Sequence, residues 1–158
     1  MELTLSRETL CFERLALSQR EQVSVEGEAT LPGSMRDAVT VLSVQAQAYL
    51  EKAEAVAGGV VLKGHVSFQA LYTQGDLTRI RAMETTCDFE HSIDAPELQP
   101  DMRVNASVAV QETEGTAVSG RMTLRALLDI QAEAFETTRQ ELVTDAAGGE
   151  NALRTQKQ

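Results

Sequence analysis

Val60-Val61-Leu62-Lys63-Gly64-His65-Val66-Ser67-Phe68-Gln69-Ala70-Leu71-Tyr72-Thr73 is the stretch whose reading decides the fold. Its even positions are apolar or glycine, and its odd positions include Lys63, His65, Ser67, Gln69 and Thr73. A period of two sends one set of side chains to each face of a β-strand. The Val, Leu, Phe and Tyr content suits a pleated, half-buried surface. Gly58-Gly59 precedes the stretch and Gln74-Gly75-Asp76 follows it, both of them hairpin turn signals. The stretch therefore reads as a central strand of an antiparallel sheet.

Working outward, a second copy of this strand lies near the C-terminus. Leu124 to Ala132 aligns with Leu62 to Ala70, matching Lys63 with Arg125, Phe68 with Ile130 and Gln69-Ala70 with Gln131-Ala132. The preceding small-residue strands also correspond, Val44, Ala46, Ala48 and Leu50 against Val104, Ala106, Val108 and Val110. The two registers differ by two residues, which the intervening loops are expected to absorb. The chain thus carries a duplicated β-hairpin. Val66, Phe68 and Ala70 are expected to share one core with Leu128, Ile130 and Ala132.

The remaining segments follow from local signals. Leu3 and Leu5 alternate as a short strand would, while Leu10 to Leu17 fits either a strand or a helical piece. Gln22 to Leu31 alternates and ends at the Pro32-Gly33 turn. Ser34 to Asp37 fits a single helical turn capped by Ser34. Strand character resumes from Val39 to about Val56. Leu77 to Glu84 reads as a short polar edge strand carrying Arg79 and Arg81, and Cys87 to Ile93 as another. Asp94 to Asp101 is a proline-containing connection, and the second hairpin spans Met102 to Phe135, with Gly115 and Gly120 near its turn. The fold class is all-β, an antiparallel sandwich with little helix. Residues 1–144 form one β domain and residues 145–158 a polar disordered tail or linker.

A chain of 158 residues is one domain with room for a core. The aromatic share of 4%, with no Trp, means a core of Val, Leu and Ala. A net charge of −10 with only 14 basic residues argues against nucleic acid and against an anionic membrane surface. No apolar run approaches membrane-spanning length and the N-terminus is not a signal peptide, so a soluble cytosolic protein is expected, without membrane insertion. Cys11 and Cys87 read as free, partly buried thiols in a reducing compartment. Folding is expected to need no disulfide, no metal and no cofactor.

Chemistry finds little purchase in this sequence. His65 and His91 lie in strands outside any nucleophile–base motif. Gly115 to Met122 lacks the Lys and Ser/Thr of a phosphate loop and joins two strands where a helix should follow. Asp88, Glu90, His91 and Asp94 are the densest group of ligand-type residues, but alternation turns His91 away from Asp88 and Glu90. The reading is non-enzymatic. The candidate interaction residues are Arg79, Ile80, Arg81, Phe89 and His91, on the two segments read as edge strands. A small-ligand or carbohydrate-binding sandwich is the alternative, for which two Tyr and no Trp are poor material.

A resemblance adds to this. Val23-Ser24-Val25-Glu26-Gly27, Leu31-Pro32 and Arg36 to Ala46 look like the opening of the SPOCS domain. Val60 to Gly64, Phe68 to Tyr72, Phe89 to Asp94, Pro100 to Val104 and Gly120-Arg121 resemble its later landmarks, over about Leu3 to Thr144. Each landmark is a generic strand pattern, and their order and spacing carry the likeness. The family occurs in endospore-forming Clostridia and their relatives, in coat-morphogenesis proteins that often end in a LysM domain. The resemblance implies an assembly module in the mother-cell cytoplasm, at the developing spore surface. Its implied partners are other coat or exosporium proteins, or a second copy of itself. It carries over no catalytic residue. This sequence has Met35-Arg36-Asp37 where the family often has Lys-Pro-Asp. It holds one SPOCS unit and no LysM domain, so contacts assigned to LysM do not transfer.

Overall fold

In a computed structural model, which describes residues 4–32 and 38–147, alternation becomes six strands. They are β1 (Thr4–Thr30), β2 (Val39–Val56), β3 (Gly59–Gln74), β4 (Asp76–Asp94), β5 (Arg103–Val118) and β6 (Arg121–Ala147). They form two antiparallel three-stranded sheets in the orders β2-β3-β4 and β1-β6-β5. The described residues contain no helix. The all-β sandwich read from the sequence is the fold found.

Val60 to Thr73 is the middle strand of its sheet, and its even positions face the interior. Val60, Leu62, Val66, Phe68 and Ala70 are fully buried and Tyr72 nearly so, as are Leu124, Ala126, Leu128, Ile130 and Ala132 on β6. These form one core with the inward faces of the flanking strands. Each large apolar side chain moved out of water contributes about 1.5–3 kcal/mol, which makes the two central strands the main source of stability. The alternation ends at Thr73, which is buried because the β3–β4 register shifts between Tyr72 and Gln74.

The duplication extends further than the hairpins. Each sheet adds a third antiparallel strand to the large-residue strand of its hairpin, but that strand comes from a different place in the chain. β4 follows β3 directly, whereas β1, which opens the chain, takes the corresponding place beside β6. Gly64 stands opposite Phe89, and its counterpart Ala126 stands opposite Val25, both of them buried. The ends of these strands are tied down alike. Ala95 N donates to Gly58 O at 2.9 Å, and Leu31 N donates to Gly120 O at 2.8 Å. The second sheet is a circular permutation of the first.

The two-residue difference between the copies is not absorbed by loops. Both hairpin turns hold two residues, Ala57-Gly58 and Ser119-Gly120. Ser119 and Gly120 have φ of 51° and 78°, the doubly left-handed turn whose twist matches paired strands. What differs is the distance from the turn to a β-bulge. The extra residue is Glu51 on β2 and Gln111 on β5, and it lies two residues farther from the turn in the second copy.

Several boundaries differ from the sequence reading. The segments Leu77–Glu84 and Cys87–Ile93 are one strand, because Thr85 and Thr86 keep pairing with Phe68 and Ser67 and no turn residue interrupts them. The ambiguous N-terminal segment is strand throughout. β1 bulges at Ala16, whereas at the register shift beside Ser6 the extra residue is Thr144 of β6. The bulge at Ala16 flips which parity of β1 faces inward, so no single period runs through it. The second hairpin does not stop at Phe135, since β6 continues to Ala147 and takes in the first residues of the expected tail. The rest of that tail, and the helical turn expected at Ser34 to Asp37, lie outside the described residues.

Candidate interaction surface

The two lateral sides of the sandwich differ. On one side β2 and β5 lie against each other, and Thr113 Oγ1 donates to Val44 O at 2.9 Å. Gly115 allows this closeness, because a Cβ there would stand 2.6 Å from Val44 Cγ2. On the other side β1 and β4 meet sparsely. There His91 and Glu21 point inward from the two sheets and share a hydrogen bond between His91 Nε2 and Glu21 Oε2, with Gln19 donating to the other Glu21 oxygen at 2.7 Å.

The predicted interaction residues therefore separate. β4 is an edge strand, and Arg79, Ile80 and Arg81 are exposed on it, Ile80 by 65%. The segment before Arg81 bows out of register, so Ile80 pairs with nothing on β3. Phe89 does not belong to this surface. It is 8% exposed and packs against Gly64, because alternation puts it on the inward face. His91 also faces inward and is half-buried, its ring engaged by Glu21. Asp88 and Glu90 lie on the outer face, as alternation requires, and Glu90 approaches Lys63 at 3.8 Å.

Sequence reasoning missed the other outer-face clusters, because they depend on which strands become neighbours. His65 Nδ1 lies 2.6 Å from Glu51 Oε1, and its ring stacks on Tyr49 with centroids 4.9 Å apart. On the second sheet Arg103 forks onto Glu13 at 2.8 and 2.6 Å while its guanidinium covers the Phe135 ring. Arg20 clamps Asp129 with two bonds of 2.9 and 2.8 Å and a third from Nη2. A shallow groove of about 600 Å³ crosses the outer face of β2-β3-β4, lined by Gln45, Gln47, Ser67, Gln69, Glu84 and Gln111 among others.

These contacts set the titration behaviour. The hydrogen bond from Arg20, then its charge, holds the Asp129 carboxyl below its ordinary range, and the bond from Arg103 does the same for Glu13. A carboxylate depressed in the folded state contributes stability above its unfolded pKa, about 4, and loses it as pH falls through the folded value. Unfolding midpoints should therefore fall on acidification below about pH 4. Arg20→Gln should flatten that fall, and an unchanged pH profile would contradict the coupling. Burial, then the nearby Asp88 charge, pushes the Cys87 thiol up, which keeps it protonated and sluggish. Cys87 is half-buried as expected, but Cys11 is exposed, and both are free. Among the described residues no three His, Cys, Asp or Glu gather to hold a metal ion.

The arrangement defines a two-sheet β module whose distinguishing features are strand edges and cross-strand charge pairs. The model of the family described as SipL, SPOCS domain matches residues 37–118, just over half of the chain, and the chain belongs to that family. It is thereby a sporulation-associated module. The match spans β2 to β5, and the two long strands that complete the second sheet lie outside it. No curated protein and no solved structure matches the chain.

Proposed function

We propose that this domain is a non-enzymatic structural and protein-interaction module in assembly of the endospore coat or exosporium. It works at the developing spore surface, in the mother-cell cytoplasm, and binds other coat proteins or a second copy of itself. Beside the family membership, one observation supports this reading: the β1/β4 side of the sandwich is sparsely closed and presents strand edges. Unpaired N–H and C=O groups along such an edge can pair with another chain. The net charge of −10 disfavours nucleic acid as a partner.

The carbohydrate alternative has weaker support. The aromatic residue of the outer-face groove is Phe68, whose ring is fully buried in the core, so it offers no face for a sugar to stack on.

The reading is tested by following a fluorescent fusion through sporulation, where it should form a ring at the developing spore. Diffuse fluorescence throughout the mother cell would overturn it. Ile80→Pro removes one edge donor without breaking a β3–β4 pair. It should weaken incorporation at the spore surface, and full retention by a folded variant would exclude the β4 edge.

A further inference from the structure

β1 and β6 do not end where the sandwich ends. β5 begins at Arg103, opposite Phe135. From Arg14↔Glu136 to Thr4↔Ala147, β1 and β6 run on as a two-stranded ribbon with no third strand beside it among the described residues. The first sheet has no equivalent, because its β3–β4 hairpin closes at Gln74↔Asp76. A two-stranded ribbon alone is marginally stable in water. This one leaves Leu10 43% and Phe12 47% exposed, two residues apart and hence on one face.

We propose that Glu8–Arg14 of β1 pairs antiparallel with the same segment of a second copy, about a two-fold axis through Cys11. The proposal rests on the reading that the domain acts through strand edges, and it names the edge and the occupant. Opposed residues of an antiparallel pair share a face, so a two-fold axis between identical strands must pass through a residue. Three positions centre the axis on the exposed apolar segment. An axis at Leu10 sets Glu8 against Phe12. An axis at Phe12 sets Leu10 against Arg14 and Cys11 against Glu13.

An axis at Cys11 sets Leu10 against Phe12, the Thr9 hydroxyl against the Glu13 carboxylate, and Glu8 against Arg14. Of the three, only that register gives both exposed apolar side chains, Leu10 and Phe12, an apolar partner while it also sets Glu8 against Arg14, each twice over by symmetry. Cross-strand pairs of both kinds stabilise a sheet. The Arg14 side chain is 73% exposed while it holds Glu136 at 2.8 Å, so it retains donors for a second carboxylate. The product is a continuous four-stranded sheet, β6-β1 followed by β1-β6 of the mate. It is closed by its symmetry and needs no further copies.

The full chain in a Cys87→Ser background tests this without altering the ribbon. Sedimentation equilibrium should show a monomer–dimer equilibrium. Mild diamide treatment should then join Cys11 to Cys11, the two thiols giving two electrons and two protons to the diamide. Directly opposed residues lie about 4.5–5.5 Å apart at Cα, within disulfide range. Glu8→Arg and Arg14→Glu should each weaken the dimer by about tenfold, and the double variant should restore it. A monomer at every concentration overturns the proposal. So does a dimer that neither cross-links at Cys11 nor recovers in the double variant, and that outcome leaves edge pairing elsewhere intact. The fluorescent-fusion result decides the broader reading independently.

Discussion

Phe68→Ala is expected to lower the free energy of unfolding by about 3–5 kcal/mol, while Gln69→Ala beside it should change stability by less than about 0.5 kcal/mol. Phe68 is fully buried at the centre of β3. Its ring is accommodated by small neighbours, with Ala46 opposite on β2 and Gly27 reaching in from the other sheet, where a Cβ would lie 3.6 Å from Phe68 Cε2. Small residues cannot move into the space the ring vacates, so the cavity stays open and the loss approaches the upper end of that range. Gln69 points outward and is exposed. Urea unfolding of both variants measures the contrast. Equal losses would mean the strand is slipped by one residue, since a slip exchanges its faces.

Gly64→Ala should cost about 3 kcal/mol, the top of the usual range for overfilling a packed site. A Cβ at Gly64 would stand 2.1 Å from the Tyr49 carbonyl oxygen and 2.9 Å from Phe89 Cζ. The ring can shift, but the carbonyl cannot, because it belongs to β2 just before the register shift at Glu51. Adding Phe89→Leu to Gly64→Ala should therefore recover little of the lost stability. Substantial recovery would place the obstacle in the ring instead of the backbone.

Much of this architecture was readable from local pattern. The central strands, both hairpin turns and the inward set Val66, Phe68, Ala70, Leu128, Ile130 and Ala132 follow from a two-residue period bounded by glycine. β1 was not readable in this way. Its bulge at Ala16 breaks the period, so Leu10 to Leu17 carry no single signal. The candidate surface shows the same division. Arg79, Ile80 and Arg81 stand exposed on an edge strand as polar composition indicated. Phe89 and His91 alternate onto the inward face, and His91 finds its partner Glu21 on the other sheet.

By itself, then, the sequence determined the strand period, the turns, the hairpin duplication and which face of each central strand is buried. These depend on neighbours two residues apart or on a turn of two residues, and short-range geometry suffices. Only the tertiary structure decided that β1 closes the second sheet as the permuted counterpart of β4, that the bulges and not the loops take up the offset, and that β1 and β6 run on as a ribbon. Those features require Thr30 to find Arg121 and Arg14 to find Glu136. Pairings across so much chain are selected by which apolar faces can be buried together, a property of the assembled core that no local window contains.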